Sequence, residues 1–134
     1  MESRDKREVF IDTNFFMIPF QFNVDILEEF KRVLPNYSLV TTKFVINELK
    51  GLKNNNKGKV RLAASLGLKI AQSDEIEIRN IPLNNEESVD DALIRISKVL
   101  ATNDANLRKK AKKKGITLVI LRQKKYLAVE GYIV

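Results

Sequence analysis

The sequence predicts an α/β protein, a three-layer α/β/α sandwich around a mainly parallel sheet, and three features carry that prediction. Short apolar runs of strand length alternate with stretches whose apolar residues recur at helical spacing. The connections between them are short, and no repeat or long linker interrupts the order. A chain of 134 residues with 44% hydrophobic residues has the apolar material for one core, so a single domain over residues 1–134 is expected.

Val9-Phe10-Ile11 is an apolar run ending in Asp12-Thr13-Asn14, as in a buried strand that delivers polar groups at its carboxyl end. Ile26, Leu27, Phe30, Val33 and Leu34 then recur at helical spacing, with Asn23 placed to cap and Pro35 to stop. Ser38 to Thr41 suits a second strand, and Phe44 to Leu52 a second helix that Thr41 or Thr42 can cap. Gly51 to Gly58, with three consecutive asparagines, reads as a loop. Lys59 to Gln72 reads as a third helix resting on Val60, Leu62, Ala63, Leu66 and Ile70, although Gly67 weakens it. Ile76 to Ile81 alternates apolar and charged residues as a half-exposed strand before Pro82. A fourth helix follows Ser88 with Val89, Leu93 and Ile96 on one face. Val99 to Thr102 is another core strand, Ala105 to Lys114 a basic helix ended by Gly115, and Thr117 to Leu121 a last buried strand.

Cysteine and histidine are both absent. Their absence excludes disulfides, thiolate nucleophiles, cysteine-rich zinc sites and any mechanism built on a histidine base. A metal held here should be a hard ion, magnesium or manganese, bound through oxygen. The start, MESRDKREVF, mixes charges of both signs without an apolar signal core, and no window approaches the ~18 apolar residues of a membrane span. A cytoplasmic protein without a membrane partner is expected.

The net charge of +7 is segregated. Leu49 to Ser73 has no acidic residue but holds Lys50, Lys53, Lys57, Lys59, Arg61 and Lys69. Ala105 to Val129 again has none, against Arg108, Lys109, Lys110, Lys112, Lys113, Lys114, Arg122, Lys124 and Lys125. Solvated helix faces would explain one such stretch; two of them fit a binder of polyanions, because each phosphate neutralised releases condensed counterions. The RNA-binding candidates are Lys50, Lys53, Lys57, Lys59, Arg61, Arg108, Lys109, Lys112, Arg122, Lys124 and Lys125.

Against this basic background, a few acids stand at strand ends and helix starts. Asp12 follows a strand, where an Asx turn is the plainer explanation. Glu48 stacks between Phe44 and Leu52 and is expected to lean toward the apolar face, where a carboxylate needs a cation or a metal. Asp90 and Asp91 open a helix whose Ser88 to Asp91 spacing is that of a capping box; Asp90 projects nearer Leu93 and Ile94 and Asp91 away from the apolar stripe, and the helix angle does not choose cleanly between them. Asp104 can cap the basic helix. Carboxylates brought together repel unless a cation neutralises them, and beside basic stretches that cation points to phosphodiester hydrolysis.

Ile11-Asp12-Thr13-Asn14, Glu48, Asp91-Ala92-Leu93-Ile94 and Ala101-Thr102-Asn103-Asp104-Ala105-Asn106-Leu107, in that order, resemble the motifs of the PIN-domain nucleases over nearly the whole chain. The resemblance implies that Asp12, Glu48, Asp91 and Asp104 are catalytic ligands of magnesium or manganese at the sheet edge, supported by Thr13, Asn14, Asp90, Thr102 and Asn103. The stretch Leu121 to Leu127 and the Thr-Asn-Asp form of the last motif are similar to archaeal relatives of the nucleases that process precursor ribosomal RNA, and less so to the VapC toxins. One departure is that only twelve residues separate Asp91 from Asp104, too few for a full helix, a turn and a strand. A shortened helix running almost directly into Val99 is expected there, short enough that it could displace Asp91 or Asp104.

The resulting expectation is a metal-dependent endoribonuclease acting on RNA, a ribosomal precursor first among substrates. The alternatives are a VapC-like toxin with an antitoxin partner, or an RNA-binding scaffold whose shortened segment has disabled catalysis. A ribosome-assembly partner and a homodimer, the latter using the tail Gly131-Tyr132-Ile133-Val134, are further implications of the resemblance.

Overall fold

The computed structural model describes residues 7–131. Tyr132, Ile133 and Val134, the apolar tail given a part in dimerisation above, lie outside the described residues. The element order is β1 (Glu8–Ile11), a 3-10 turn (Asn14–Met17), α1 (Ile18–Phe22), α2 (Ile26–Val33), β2 (Ser38–Thr42), α3 (Lys43–Asn55), α4 (Gly58–Ala71), β3 (Ile76–Arg79), α5 (Val89–Ile96), β4 (Val99–Ala101), α6 (Ala105–Lys113), β5 (Thr117–Arg122) and β6 (Tyr126–Glu130). The six strands form one sheet in the order β3-β2-β1-β4-β5-β6, parallel throughout except for β6. With helices on both faces this is the three-layer α/β/α sandwich that the alternation of apolar runs implies.

The central strands are apolar because both of their faces are covered. Val9, Ile11, Leu100, Ala101, Leu118 and Val119 are fully buried. Caps follow the expected chemistry in part. Thr42 accepts a hydrogen bond from the Val45 N–H at 3.3 Å to start α3, and Ser88 accepts one from the Asp91 N–H at 3.0 Å to start α5. The cap of α2 is Asp25, accepting from the Glu28 N–H at 3.2 Å, and not Asn23. Asn23 instead ends α1 in the left-handed conformation, with φ 56°, a place asparagine takes readily.

Three elements depart from the sequence reading. The residues from Asn14 to Phe22, which carry no helical stripe, form the 3-10 turn and α1. Helix α3 runs on to Asn55, so that Asn54 and Asn55 belong to its last turn and the supposed loop shrinks to Asn56 and Lys57. Thr117–Arg122 is not the last strand. It turns through Gln123 and Lys124, with φ 52° and 58°, into β6, and Leu121 pairs with Leu127 and Val119 with Val129. The loop is Gln123-Lys124-Lys125, closed by the Lys125 N–H donating to the Arg122 carbonyl at 3.0 Å; its two left-handed residues are normally announced by Asn-Gly or Asp-Gly, neither of which is present. Helix α2 covers the outer edge of β6: Glu29 accepts from the Leu127 N–H and Arg32 donates to the Leu127 carbonyl, both at 2.8 Å.

Helix α4 is where its periodicity places it, but it buries a different face. Ala63, Ala64, Gly67, Leu68 and Ala71 pack inward, whereas Val60, Leu62 and Leu66 are exposed. Small residues win the inward face because α4 must lie against the 3-10 turn: a Cβ on Gly67 would stand 2.9 Å from the Phe16 carbonyl oxygen. Alanine normally favours a helix over glycine by ~1 kcal/mol, so the close approach outweighs propensity here. Gly67→Ala is expected to destabilise the protein by about 1 kcal/mol or more. Gly51→Ala, where the added carbon would meet only Asn55 Nδ2 at 4.0 Å, should stabilise it. Thermal denaturation of both variants checks this; a melting temperature for Gly67→Ala at or above that of the parent would contradict the packing argument.

Candidate functional site

Strands β1 and β4 are neighbours, but β1 is followed by the crossover to β2 on one side and β4 by the crossover to β5 on the other. Such a switch point leaves a crevice outside the carboxyl ends of the two strands. Asp12 extends the pairing one residue past β1, its N–H donating to the Ala101 carbonyl at 3.0 Å. The chain then turns sharply, with the Phe15 N–H donating to the Asp12 carbonyl at 3.1 Å and the Phe16 N–H to that of Thr13 at 3.2 Å. This turn holds the Asp12 side chain at the mouth of the crevice.

A cleft of about 490 Å³ opens there, lined by Asp12, Thr13, Asn14, Glu48, Gly51, Leu52, Asn55, Asn56, Asp90 and Asp104. Its size is within the ~300–1,000 Å³ usual for small-ligand sites. Asp12 is 5% exposed and accepts two hydrogen bonds: from the Thr13 N–H at 2.7 Å to Oδ1 and from the Thr102 hydroxyl at 2.8 Å to Oδ2. The same Thr102 oxygen accepts from the Asp104 N–H at 3.1 Å, and Asp104 caps α6 by accepting from the Leu107 N–H at 2.8 Å. The Thr13 hydroxyl donates to Glu48 Oε1. Two threonines thus tie the carboxyl groups of Asp12 and Glu48, and the backbone of Asp104, into one network that joins β1, α3 and the start of α6.

The carboxylates feel one another. Burial pushes Asp12 up to about 6, against the pull of its Thr102 and Thr13 hydrogen bonds, and the negative Asp90 and Glu48 push it further. Asp90 is raised by burial first, then by Asp104, while Lys110 opposes the rise.

The structure places Asp90, not Asp91, in the cleft. Asp91 occupies the third position of α5, its N–H held by Ser88; its side chain is 59% exposed and lies 3.6 Å from Lys110 of α6. Helix angle alone did not choose between the two acids; in the structure Ala92 and Leu93 are the buried residues of the helix, and Asp90 is the acid that lines the cleft. Despite the shortened segment, α5 ends at Ile96, two residues before β4, and Asp104 still reaches the cleft. Glu48 also differs from its expectation: it is exposed at the cleft, because α3 buries a stripe of Phe44, Val45, Ile46 and Leu49 and leaves Glu48 on its flank. Asn103 does not line the cleft; its Oδ1 accepts from the Leu121 N–H at 2.8 Å and fastens the loop after β4 to β5. Asn14 is exposed and lines the cleft. Asn55, Asn56, Gly51 and Leu52 were not singled out as site residues; the run of asparagines was the only signal, and it read as a loop.

The cations gather into groups. Lys50 and Lys53 are on α3 and Lys59 and Arg61 on α4, flanking the Asn55–Asn56 corner, with Lys57 in the connection; Arg61 donates to the Lys53 carbonyl at 2.9 Å. On α6 and the hairpin, Arg108, Lys112 and Arg122 converge on Glu130 at 3.6, 3.4 and 2.8 Å. One carboxylate therefore collects three cations from two elements. Lys109, Lys124 and Lys125 are exposed.

A family model described as a PIN like domain matches residues 9–124, so the chain belongs to that family. The chain is 29% identical over 132 residues to ribonuclease VapC4 of Methanocaldococcus jannaschii, covering 91% of this chain and 95% of that one. It is 28% identical over 120 residues to ribonuclease VapC9 of Archaeoglobus fulgidus, covering 90% and 87%. Among solved structures, the PIN domain endonuclease Utp24 superposes with a TM-score of 0.75 at 26% identity, covering 94% of this chain and 92% of that one. A domain of a functionally unknown protein from Methanocaldococcus jannaschii superposes at 0.61 with 19% identity and shows the shared fold. Identities of 29, 28 and 26% do not rank the VapC proteins against Utp24 as kin.

The raised Asp12 predicts a pH-dependent penalty. Its folded-state value of about 6 exceeds the ordinary 3.8, so the folded protein holds that proton more tightly and loses stability as pH rises between the two values. Above about pH 6 the loss is complete and corresponds to roughly 2–3 kcal/mol. In chelator at pH 7.5, Asp12→Asn should therefore melt several degrees above the parent, and near pH 4 the difference should vanish. A parent equally or more stable at pH 7.5 would contradict this.

Proposed function

We propose that this chain is a divalent-metal-dependent endoribonuclease that hydrolyses RNA phosphodiesters. The observation that carries the reading is the convergence of Asp12, Glu48, Asp90 and Asp104 on one cleft at the switch point of a chain with net charge +7. Four acids facing one space in a basic protein are costly without a cation.

The donor set fits magnesium or manganese, since every charged donor is a carboxylate and no softer ligand is present. Among the described residues no three acidic side chains are gathered closely enough to hold one ion directly. That spacing suits an ion that keeps several of its waters and takes one or two carboxylates directly. Asp12 is the best placed direct ligand, both of its oxygens being oriented by Thr13 and Thr102. Asp90, Asp104 and the Thr13-bonded Glu48 would take the ion's waters, and one of them would accept the proton of an attacking water; their shared lining of the cleft supports this. The bound ion would lower the pKa of that water and polarise the scissile phosphate. Asp91 is assigned no contact with the ion.

RNA as the substrate is supported by the relatives, two named ribonucleases and an endonuclease, and by the two groups of cations. Arg108, Lys112 and Arg122, preset by Glu130, together with Lys124 and Lys125, would bind backbone phosphates on one side. Lys50, Lys53, Lys57, Lys59 and Arg61 would do so beside the Asn55–Asn56 corner. The Leu121 to Leu127 stretch and the Thr-Asn-Asp form of the last motif favour a precursor ribosomal RNA with ribosome-assembly partners, and the identity to VapC4 and VapC9 favours a VapC-like toxin with an antitoxin. Expression of the chain alone separates them: growth arrest is expected of a toxin, unimpeded growth of a processing enzyme.

The test is cleavage of a labelled structured RNA with manganese, with magnesium and with chelator. Asp12→Asn and Asp90→Asn should each lose ~100-fold or more of the metal-dependent rate, and Asp91→Asn should stay within about threefold of the parent. Loss in Asp91→Asn with retention in Asp90→Asn would reverse the assignment. Salt-sensitive binding without cutting in the parent would make the chain an RNA-binding scaffold instead.

A further inference from the structure

Helix α3 lays a strip along the cleft that the carboxylate chemistry does not use. Glu48, Gly51, Leu52 and Asn55 all line the cleft, and their spacing of three, four and seven residues puts them on one helix face. At 1.5 Å per residue, Asn55 lies about 10 Å along the helix from Glu48. The strip thus starts at a carboxylate and ends at an uncharged carboxamide.

Each position on the strip has a distinct character. Gly51 keeps the passage clear; even an added Cβ would meet nothing nearer than Asn55 Nδ2 at 4.0 Å. Leu52 is half-buried and offers an apolar surface. Asn56 is committed, its Nδ2 donating to the Leu52 carbonyl at 2.9 Å, which fixes the corner between α3 and α4. Asn55 is exposed and has no such tie among the described residues, so its paired donor and acceptor face the cleft uncommitted.

We propose that this strip is a nucleobase subsite: Leu52 packs against the face of the base next to the scissile phosphate, and the Asn55 carboxamide hydrogen-bonds its edge. The inference rests on the ribonuclease reading and deepens it. A charged strip would bind any phosphate, whereas an apolar side chain followed by a carboxamide suits the flat face and polar edge of a base. A base used in this way cannot be paired, so the cut falls in a loop, bulge or single strand. Leu52 and Asn55 are then specificity-determining residues, and the lysines beside them supply affinity without base preference.

The experiment uses the Asp12→Asn chain with magnesium, so that RNA is bound and not cut, and fluorescent pentanucleotides of A, C, G and U at two salt concentrations. One base should be favoured by ~5-fold or more, about 1 kcal/mol. Adding Asn55→Ala should reduce that preference to under ~2-fold without changing the salt dependence, because phosphate contacts are untouched. Asn54→Ala, a neighbouring exposed asparagine outside the cleft, should leave the preference intact. Equal affinity for all four bases, or a preference that survives Asn55→Ala, would overturn the subsite while leaving the nuclease reading standing. Failure of all four to bind would overturn the nuclease reading and the subsite with it.

Discussion

The Thr102 hydroxyl is the joint on which the site depends. It is fully buried at the carboxyl end of β4, donates to Asp12 Oδ2 and accepts from the Asp104 N–H. One oxygen therefore spans the switch point of the sheet, fixing the carboxylate that leaves β1 against the loop that starts α6. Asp12 would otherwise be a buried acid with a single backbone donor, at a cost that desolvation makes plain in its raised pKa. Under the proposed metal-dependent function, a destabilising charge held in a preset geometry is what a cation site requires.

Charge is arranged on two scales. Locally, acids crowd one cleft; globally, the chain is basic, an arrangement that under the proposed function would draw a polyanion to the protein and a cation to the cleft. The acids outside the cleft have another part. Glu130 assembles Arg108, Lys112 and Arg122, and Asp91 holds Lys110, so these carboxylates order the cationic surface at modest cost to its net charge. Asp91 sits where a helix N-terminus favours an acid and where α5 and α6 meet, 3.6 Å from Lys110.

Much of the fold was legible because parallel strands buried on both faces must be apolar, and Val9-Phe10-Ile11, Val99-Leu100-Ala101 and Thr117 to Leu121 have little other use. What stayed hidden was set by tertiary contact. The left-handed turn at Gln123 and Lys124 has no local signature, so β6 was missed, and its partner α2 supplies the hydrogen bonds that hold its edge. The inward face of α4 was misjudged because its small residues are chosen by the nearness of Phe16, which periodicity does not register. In the site, Asp12 and Asp104 were legible as strand-end acids, but adjacent Asp90 and Asp91 differ only by helix angle. Motif likeness favoured the second while the geometry of α5 turned the first toward the cleft. Asn55 was hidden by a plausible loop reading of three asparagines.

The most direct measurement is manganese affinity, followed by the paramagnetic signal of the bound ion, in the parent and in Thr102→Val, which keeps the side-chain shape and removes only the hydroxyl. If Thr102 presets Asp12, the variant should fold with the parent's circular dichroism spectrum and bind manganese ~10-fold or more weakly. Unchanged affinity in a folded variant would contradict the account, because Asp12 would then not depend on the joint between β1 and β4.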